Sequence, residues 1–252
     1  MTSTTPRLNC EQAVDQIIQA TGGDIRLGMP LGLGKPNRLV NALYQRACED
    51  DSVSLVIYTA LSLGRPKPGT DLERRFLAPF IERVFGDYEE LDYLSALRSR
   101  SLPANVQVYE FFFQPGAMLG NSEAQQHYIN SNYTHVARDL NRLRVNVLAQ
   151  LVAPHPGGEE KVSLSCNPEV SLDLLPHIRE RQAQGETVML IGQLHPSLPY
   201  MPNDAEVSTG EFDLLVDDEA GHTTLFGTPN MPVTMQDHFI GLNASALLRD
   251  GG

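Results

Sequence analysis

Residues 25–58 read IRLGMPLGLGKPNRLVNALYQRACEDDSVSLVIY. Ile25, Leu27 and Met29 alternate with other residues, the pattern of a short strand. Residues 30–37 form a glycine- and proline-rich loop. Pro36 suits the first turn of a helix, whose buried face is Leu39, Val40, Leu43 and Ala47. Residues 53–58, VSLVIY, are nearly all apolar, which fits a strand buried on both faces of a parallel sheet. Strand, glycine loop, helix and strand make a βαβ unit, whose crossover is right-handed.

Working outward, Asn9 caps a helix with Gln12 three residues on, as in a capping box, and Ala13, Val14, Ile17 and Ile18 give it an apolar stripe that Gly22-Gly23 ends. Residues 65–69 are a proline-rich linker. Asp71 then caps a helix whose Phe76, Leu77, Phe80, Ile81, Val84 and Phe85 recur at helical spacing, and a shorter polar helix runs through Arg98. Residues 106–113 (VQVYEFFF) read as a buried strand, residues 121–139 as polar with some helix, and residues 145–152 and 162–166 as two strands. A helix over 172–184 ends at Gly185, and residues 187–191 are a strand. Residues 212–216 and 223–226 read as a pair joined by the 217–221 turn, and a last helix covers 234–249. The predicted fold is α/β, a mostly parallel sheet with helices on both faces. Ligands of such sheets bind beyond the carboxyl ends of the strands, here the loops at 30–37, 59–65, 114–121, 167–171 and 192–202.

Composition narrows the function. With 252 residues and 41 % hydrophobic residues the chain can build a sizeable core. Its net charge of −12 argues against nucleic acid and against an anionic membrane surface. A polyanionic ligand would need local backbone donors or a local basic cluster. Three scattered cysteines give neither a disulfide framework nor a metal site and fit a reducing compartment. No signal-peptide core and no apolar run of about 18 residues occurs. The expected location is therefore the cytoplasm.

Several loop residues are candidates. In GLGKPN, Gly32 and Gly34 allow close backbone approach, the following helix offers free N–H groups, and Lys35 adds a positive charge. The loop meets neither nucleotide fingerprint, and by itself it reads as a tight βα turn. Its place on the first βα loop raises the functional reading. Thr59 follows the second strand. In IGQLHPSLP, His195 sits after a strand, where it reads either as a binder of an acyl or carboxylate oxygen or as a loop histidine bonded to backbone. Asn167 and Glu169 are placed similarly, Glu169 reading as a base or nucleophile or as a solvated loop side chain. The polar run 132–139 is a ligand wall, an interdomain contact or a surface helix. Cys166 reads as a buried, inert thiol. No G-x-S-x-G elbow, H-E-x-x-H or paired cysteine is present, so no metal is expected.

Three stretches together resemble the acetyl-CoA hydrolase/transferase family of CoA-transferases. Residues 25–43 are similar to its opening strand, glycine loop and KPN-x-LV-x-AL helix. Residues 188–199, VMLIGQLHPSLP, resemble a strand and loop that more often carries asparagine where His195 stands. Residues 239–252, FIGLNASALLRDGG, resemble the helix leading into a DG-x-TLQ-x-GIG segment. The resemblance spans nearly the whole chain. It implies a three-layer domain of the NagB/RpiA type and makes residues 1–252 an amino-terminal half without the catalytic carboxyl-terminal half: a fragment, a separately encoded half or a trimmed form.

The implied chemistry is acyl transfer between an acyl-CoA and a small carboxylate, or hydrolysis of acetyl-CoA, with coenzyme A as substrate and no separate cofactor. A glutamate of the other half attacks the thioester, and this half contributes a pocket wall built from Gly32, Gly34, Lys35, Thr59, Asn167 and His195. The partners implied are acyl-CoA, a small carboxylate, a carboxyl-terminal CoA-transferase half and, in a homo-oligomer, further copies of the chain. An exposed apolar face that promotes self-association is the accompanying expectation. The competing readings are a non-catalytic acyl-CoA or carboxylate-binding module and a structural partner subunit.

Overall fold

The computed structural model describes residues 5–227 and 232–249. Residues 250–252, the close of the third resembling stretch, lie outside them. In chain order the elements are β1 (Arg7–Leu8), α1 (Cys10–Thr21), β2 (Asp24–Gly28), α2 (Asn37–Glu49), β3 (Ser54–Thr59), α3 (Asp71–Phe85), α4 (Asp92–Ser99), β4 (Val106–Glu110), α5 (Ser122–Gln126), α6 (Val136–Arg142), β5 (Val147–Pro154), β6 (Lys161–Ser163), α7 (Glu169–Ala183), β7 (Met189–Leu194), β8 (Glu206–Ser208), β9 (Leu214–Val216) and α8 (Met235–Ser245).

The sheet runs β1-β9-β7-β5-β2-β3-β4, and every neighbouring pair along that path is parallel. The central strands β5, β7 and β9 are buried on both faces, which is why their sequences are mostly apolar, whereas β1, β2 and β4 keep exposed polar residues. One face packs on α1, α2 and α4 through Ile17, Leu39, Leu43 and Leu97 against Ile25, Leu27 and Ile57. The other packs on α6 and α7 through Leu140, Leu174 and Ile178 against Leu148, Val152 and Leu190. The predicted mostly parallel sheet with helices on both faces is what the chain builds. Among the described residues no helix is long and apolar enough to cross a membrane.

The local signals have their expected physical origin. Asn9 accepts the Gln12 amide while Gln12 returns the bond to the Asn9 amide, and Gly22 closes α1 in the left-handed region at φ 63°. Other expectations are corrected. The cap of α3 is Thr70, one residue before Asp71, in a capping box with Glu73. Of the apolar stripe on α3 only Val84 and Phe85 are buried, while Phe76 is 81 % and Leu72 76 % exposed. The strand expected over 162–166 is the shorter β6, Lys161–Ser163, which pairs antiparallel with β5 and β8, off the parallel run, and residues 164–166 turn away. Residues 212–216 do not pair with 223–226. β9 instead lies parallel between β7 and β1, because its apolar Leu214, Leu215 and Val216 are buried there, and residues 223–226 form no strand. α8 forms where predicted, with its own capping box at Thr234, but buries none of its residues.

Candidate functional site

After β2 the chain adds β3 and β4 on one side and then crosses back to place β5 on the other. The order therefore reverses between β2 and β5, and the crevice beyond their carboxyl ends is the topological switch point. The loop after β2 fills one side of it. Gly32 is left-handed at φ 59°, with room only up to the side chain of Leu61. At Gly34 a Cβ would lie 2.5 Å from Asn167 Oδ1, so only glycine lets that loop close onto the Asn167 turn.

Lys35 turns inward rather than toward solvent. Its Nζ donates to the carbonyls of Ala60 and Leu61, the latter at 3.1 Å. Leu61 itself is held in the left-handed region at φ 50°, with its amide bonded to Phe112 O at 2.7 Å. Thr59 Oγ1 donates to Pro30 O at 3.2 Å. These bonds stitch the loops after β2, β3 and β4 into one unit.

Behind Lys35 lies a buried polar network. Glu110, the last residue of β4, accepts from Ser62 Oγ, and Ser62 Oγ is 2.7 Å from Tyr93 OH. Burial brings the Lys35 ammonium down to about 7, opposed by the charge of Glu110. Burial likewise raises the Glu110 carboxyl, against the Ser62 bond and the Lys35 charge, and raises the Tyr93 hydroxyl. Both partners of the pair are pushed toward their neutral forms.

On the β5 and β7 side, His195 takes the Val152 carbonyl with its amide at 3.0 Å, and its Nδ1 accepts the Ser197 amide at 3.3 Å. Its Nε2 finds no partner, and its ring lies 5.8 Å from that of His222. Burial and His222 hold the imidazole below its ordinary value, against a loose contact with the Thr223 backbone. Lys35, Asn37, Arg38, Gln193 and His195 line one cavity, roofed by Thr223, Thr224 and Leu225. Gln193 Oε1 accepts the Leu39 amide at 3.1 Å, while Asn37 Nδ2 donates to Tyr88 OH and to Glu89 O. Beyond β4 a second, open cleft of about 440 Å³ is lined by Leu31, Phe111, Phe112, Tyr128, Ser131 and Tyr133.

All six predicted residues thus lie at the carboxyl edge of the sheet. Gly34 meets Asn167, Lys35 and His195 line one cavity at the switch-point crevice, Thr59 is bonded to Pro30 beneath the loop, and Gly32 faces Leu61. Thr59, Lys35 and His195 are 0 %, 1 % and 2 % exposed, so none presents its side chain to solvent. Glu169 opens α7 and accepts from Tyr133 OH, and burial together with that bond raises the tyrosine hydroxyl. The polar run 132–139 is a surface turn entering α6, with Asp139 held by Arg138 and Ser131. Cys166 is exposed rather than buried, yet partial desolvation raises its thiol. Ser62, Tyr93, Glu110, Asn37 and Gln193 were not anticipated. The available signal was Glu110, a lone charge inside the apolar run VQVYEFFF.

No family model and no curated protein matches this sequence. Solved structures do match it. A single-substitution variant of RipA superposes with a TM-score of 0.60 at 18 % identity, over 98 % of this chain and 49 % of that one. RipA from Yersinia pestis gives 0.57 at 17 % identity, again over 98 % and 49 %. A 4-hydroxybutyrate CoA-transferase from Porphyromonas gingivalis gives 0.46 at 14 % identity, over 98 % and 46 %. The chain spans about half the length of the structures it resembles. The likeness to RipA is one of fold: the same α/β layering about a mostly parallel sheet.

Proposed function

We propose that this chain furnishes one wall of the site of a CoA-transferase-like enzyme, either an acyl-CoA:carboxylate CoA-transferase or an acetyl-CoA hydrolase. The observation that carries the reading is the convergence of Gly34, Lys35, Asn167 and His195 on the switch-point crevice, where ligands of such sheets bind. Gly32, Gly34, Lys35 and Thr59 shape the loops, and His195, held below its ordinary value, offers a neutral imidazole to a carboxylate or acyl oxygen.

The carboxylate that attacks the thioester comes, on this reading, from a second half. Glu110 is buried and pushed toward its neutral form, and Glu169 is engaged by Tyr133. The partner's glutamate adds to the acyl-CoA carbonyl, CoA leaves as thiolate, and a mixed anhydride remains. The thiolate returns to the glutamyl carbonyl and frees the first carboxylate, giving a glutamyl-CoA thioester that the acceptor carboxylate then resolves. Backbone N–H groups hold the developing oxyanion. Water in place of the acceptor gives hydrolysis. The exposed apolar residues of α3 and α8, and the apolar cleft beside Phe112, supply surface for such a half.

Release of free thiol from acetyl-CoA, with and without acetate or succinate, tests the reading. Residues 1–252 are compared with the same chain plus a carboxyl-terminal CoA-transferase half. Activity only with the second half is expected. Activity of residues 1–252 alone, abolished by Glu169→Gln, would overturn it. The sealed side chains of Thr59, Lys35 and His195 favour a second reading, a non-catalytic binding module or structural partner. Calorimetry with acetyl-CoA, and no turnover in either form, would select it.

A further inference from the structure

The cavity above Lys35 and His195 offers only about 20 Å³, room for a single water and not for the three heavy atoms of a carboxylate. Yet two buried polar atoms that line it, Asn37 Oδ1 and His195 Nε2, lack a hydrogen bond of good geometry, the imidazole being in loose contact with the Thr223 backbone. Asn37 and His195 are 7 % and 2 % exposed, so these groups depend on whatever fills the cavity. What closes it is one irregular segment, residues 221–227. Among the described residues it is held by turn bonds at Gly221 and His222, by the Thr223 backbone against His195, by Thr224 packed on Gly86, and by two longer-range bonds. The Thr224 amide donates to Asp87 Oδ1, and the Gly227 amide donates to Val84 O at 3.0 Å. Half-buried Leu225 lies against Leu33, Leu151 and Leu198, and Phe226 meets Phe85 edge-on at 5.2 Å. The segment pairs with no strand. Segments held by turns and side contacts, with no strand pairing, open far more readily than the sheet beneath them.

We propose that residues 221–227 form a strap over the switch-point crevice that swings off before a ligand reaches Lys35, Asn37 and His195, so that access to the site is gated within this chain. The inference rests on the proposed function only in taking that crevice as the ligand site. Displacing the strap opens the cavity and exposes Asn37 Oδ1 and His195 Nε2 to ligand groups.

Two measurements without any ligand test the motion. In the whole chain, amide exchange at Thr224 and Gly227 is expected to be at least about a hundredfold faster than at the β7 amides of residues 190–194. Exchange as slow as in β7 would overturn the strap. Independently, His195→Cys in a Cys48→Ser/Cys166→Ser background places a thiol beneath it. Labelling by a disulfide reagent is expected under native conditions, insensitive to low urea, and several-fold faster after Asp87→Ala, which frees the Thr224 amide. Labelling that tracks global unfolding across urea, with Asp87→Ala shifting both alike, would also overturn it. If the His195→Cys chain fails to fold, the exchange measurement decides alone. Succinate and acetyl-CoA are then added to the labelling reaction. No effect from either would count against the proposed function and leave the strap standing.

Discussion

Replacing Lys35 by methionine isolates the cost of burying its ammonium. The folded lysine titrates at about 7 because of burial, against an ordinary value of 10.5 in the open chain. Below pH 7 both states hold the proton. Between 7 and 10.5 the unfolded chain holds it and the folded chain has released it, so stability rises with pH through that window. One proton of difference gives a slope of about 1.4 kcal/mol per pH unit, or about 4 kcal/mol between pH 7 and 10. Lys35→Met removes the slope. It also deprives the Ala60 and Leu61 carbonyls of their donor, at about 1–3 kcal/mol for each buried orphan. The variant is therefore clearly weaker than the parent at pH 10 and close to it at pH 7. Urea unfolding at pH 7, 8, 9 and 10 measures this, since all other titrations are shared. Glu110 titrates against Lys35, so the comparison is repeated in a Glu110→Gln background. There the loss of the carboxylate lowers Lys35 further and moves the rise to lower pH. Parallel stability curves for parent and variant in both backgrounds would refute a buried, easily deprotonated Lys35.

Gly34→Ala drives a methyl to 2.5 Å from Asn167 Oδ1 and 2.9 Å from its Cγ. It is expected to cost about 1–3 kcal/mol in urea and to displace the Asn167 turn, visible as amide shifts at residues 164–168. Phe76→Glu combined with Phe239→Glu changes two exposed apolar residues, so stability should move by less than about 0.5 kcal/mol. Sedimentation at high concentration should show self-association in the parent and its loss in the double variant. Cys166, exposed but with a raised thiol, should react with a disulfide reagent at pH 8 more slowly than a free peptide thiol, while remaining fully reactive once unfolded in urea.

The layers of this fold were legible because each depends on local pattern. Apolar runs such as VSLVIY state that a strand is covered on both faces, and the 3.6-residue stripes of α1 and α2 state which side is buried. What local pattern omits is the identity of the neighbour. The stripe of α3 is as regular as that of α1, yet Phe76 meets solvent where Ile17 meets the sheet, since periodicity marks an apolar face without supplying its cover. β1 was missed, and β9 was read as a strand but given the wrong partner, for another reason. Strands of two and three residues are too short to show a period, and their pairing joins Arg7 and Leu8 to Leu215 and Val216 across the whole chain. Residues 223–226 have strand-like composition but no partner edge, and so they lie across the crevice instead.

The site shows the same division between placement and surroundings. That Lys35 follows a strand and precedes a helix is written in the sequence, and it suggests a cation held ready for an anion. Its actual direction is decided elsewhere. The tight turn at Gly32–Gly34 delivers it under the β3 loop, where the only acceptors are two backbone carbonyls and the only nearby counter-charge is Glu110. A glutamate within an apolar strand is expensive to bury unless it is paired or protonated. VQVYEFFF therefore demanded a buried partner: Ser62 donates to Glu110, and Lys35, bonded to carbonyls instead, contributes its charge alone. The two charges that sequence reading treated separately, one as a binder and the other as part of a hydrophobic run, form one buried unit. It fixes the left-handed turn at Leu61 between the crevice and the apolar cleft, so Lys35 shapes both without facing solvent in either.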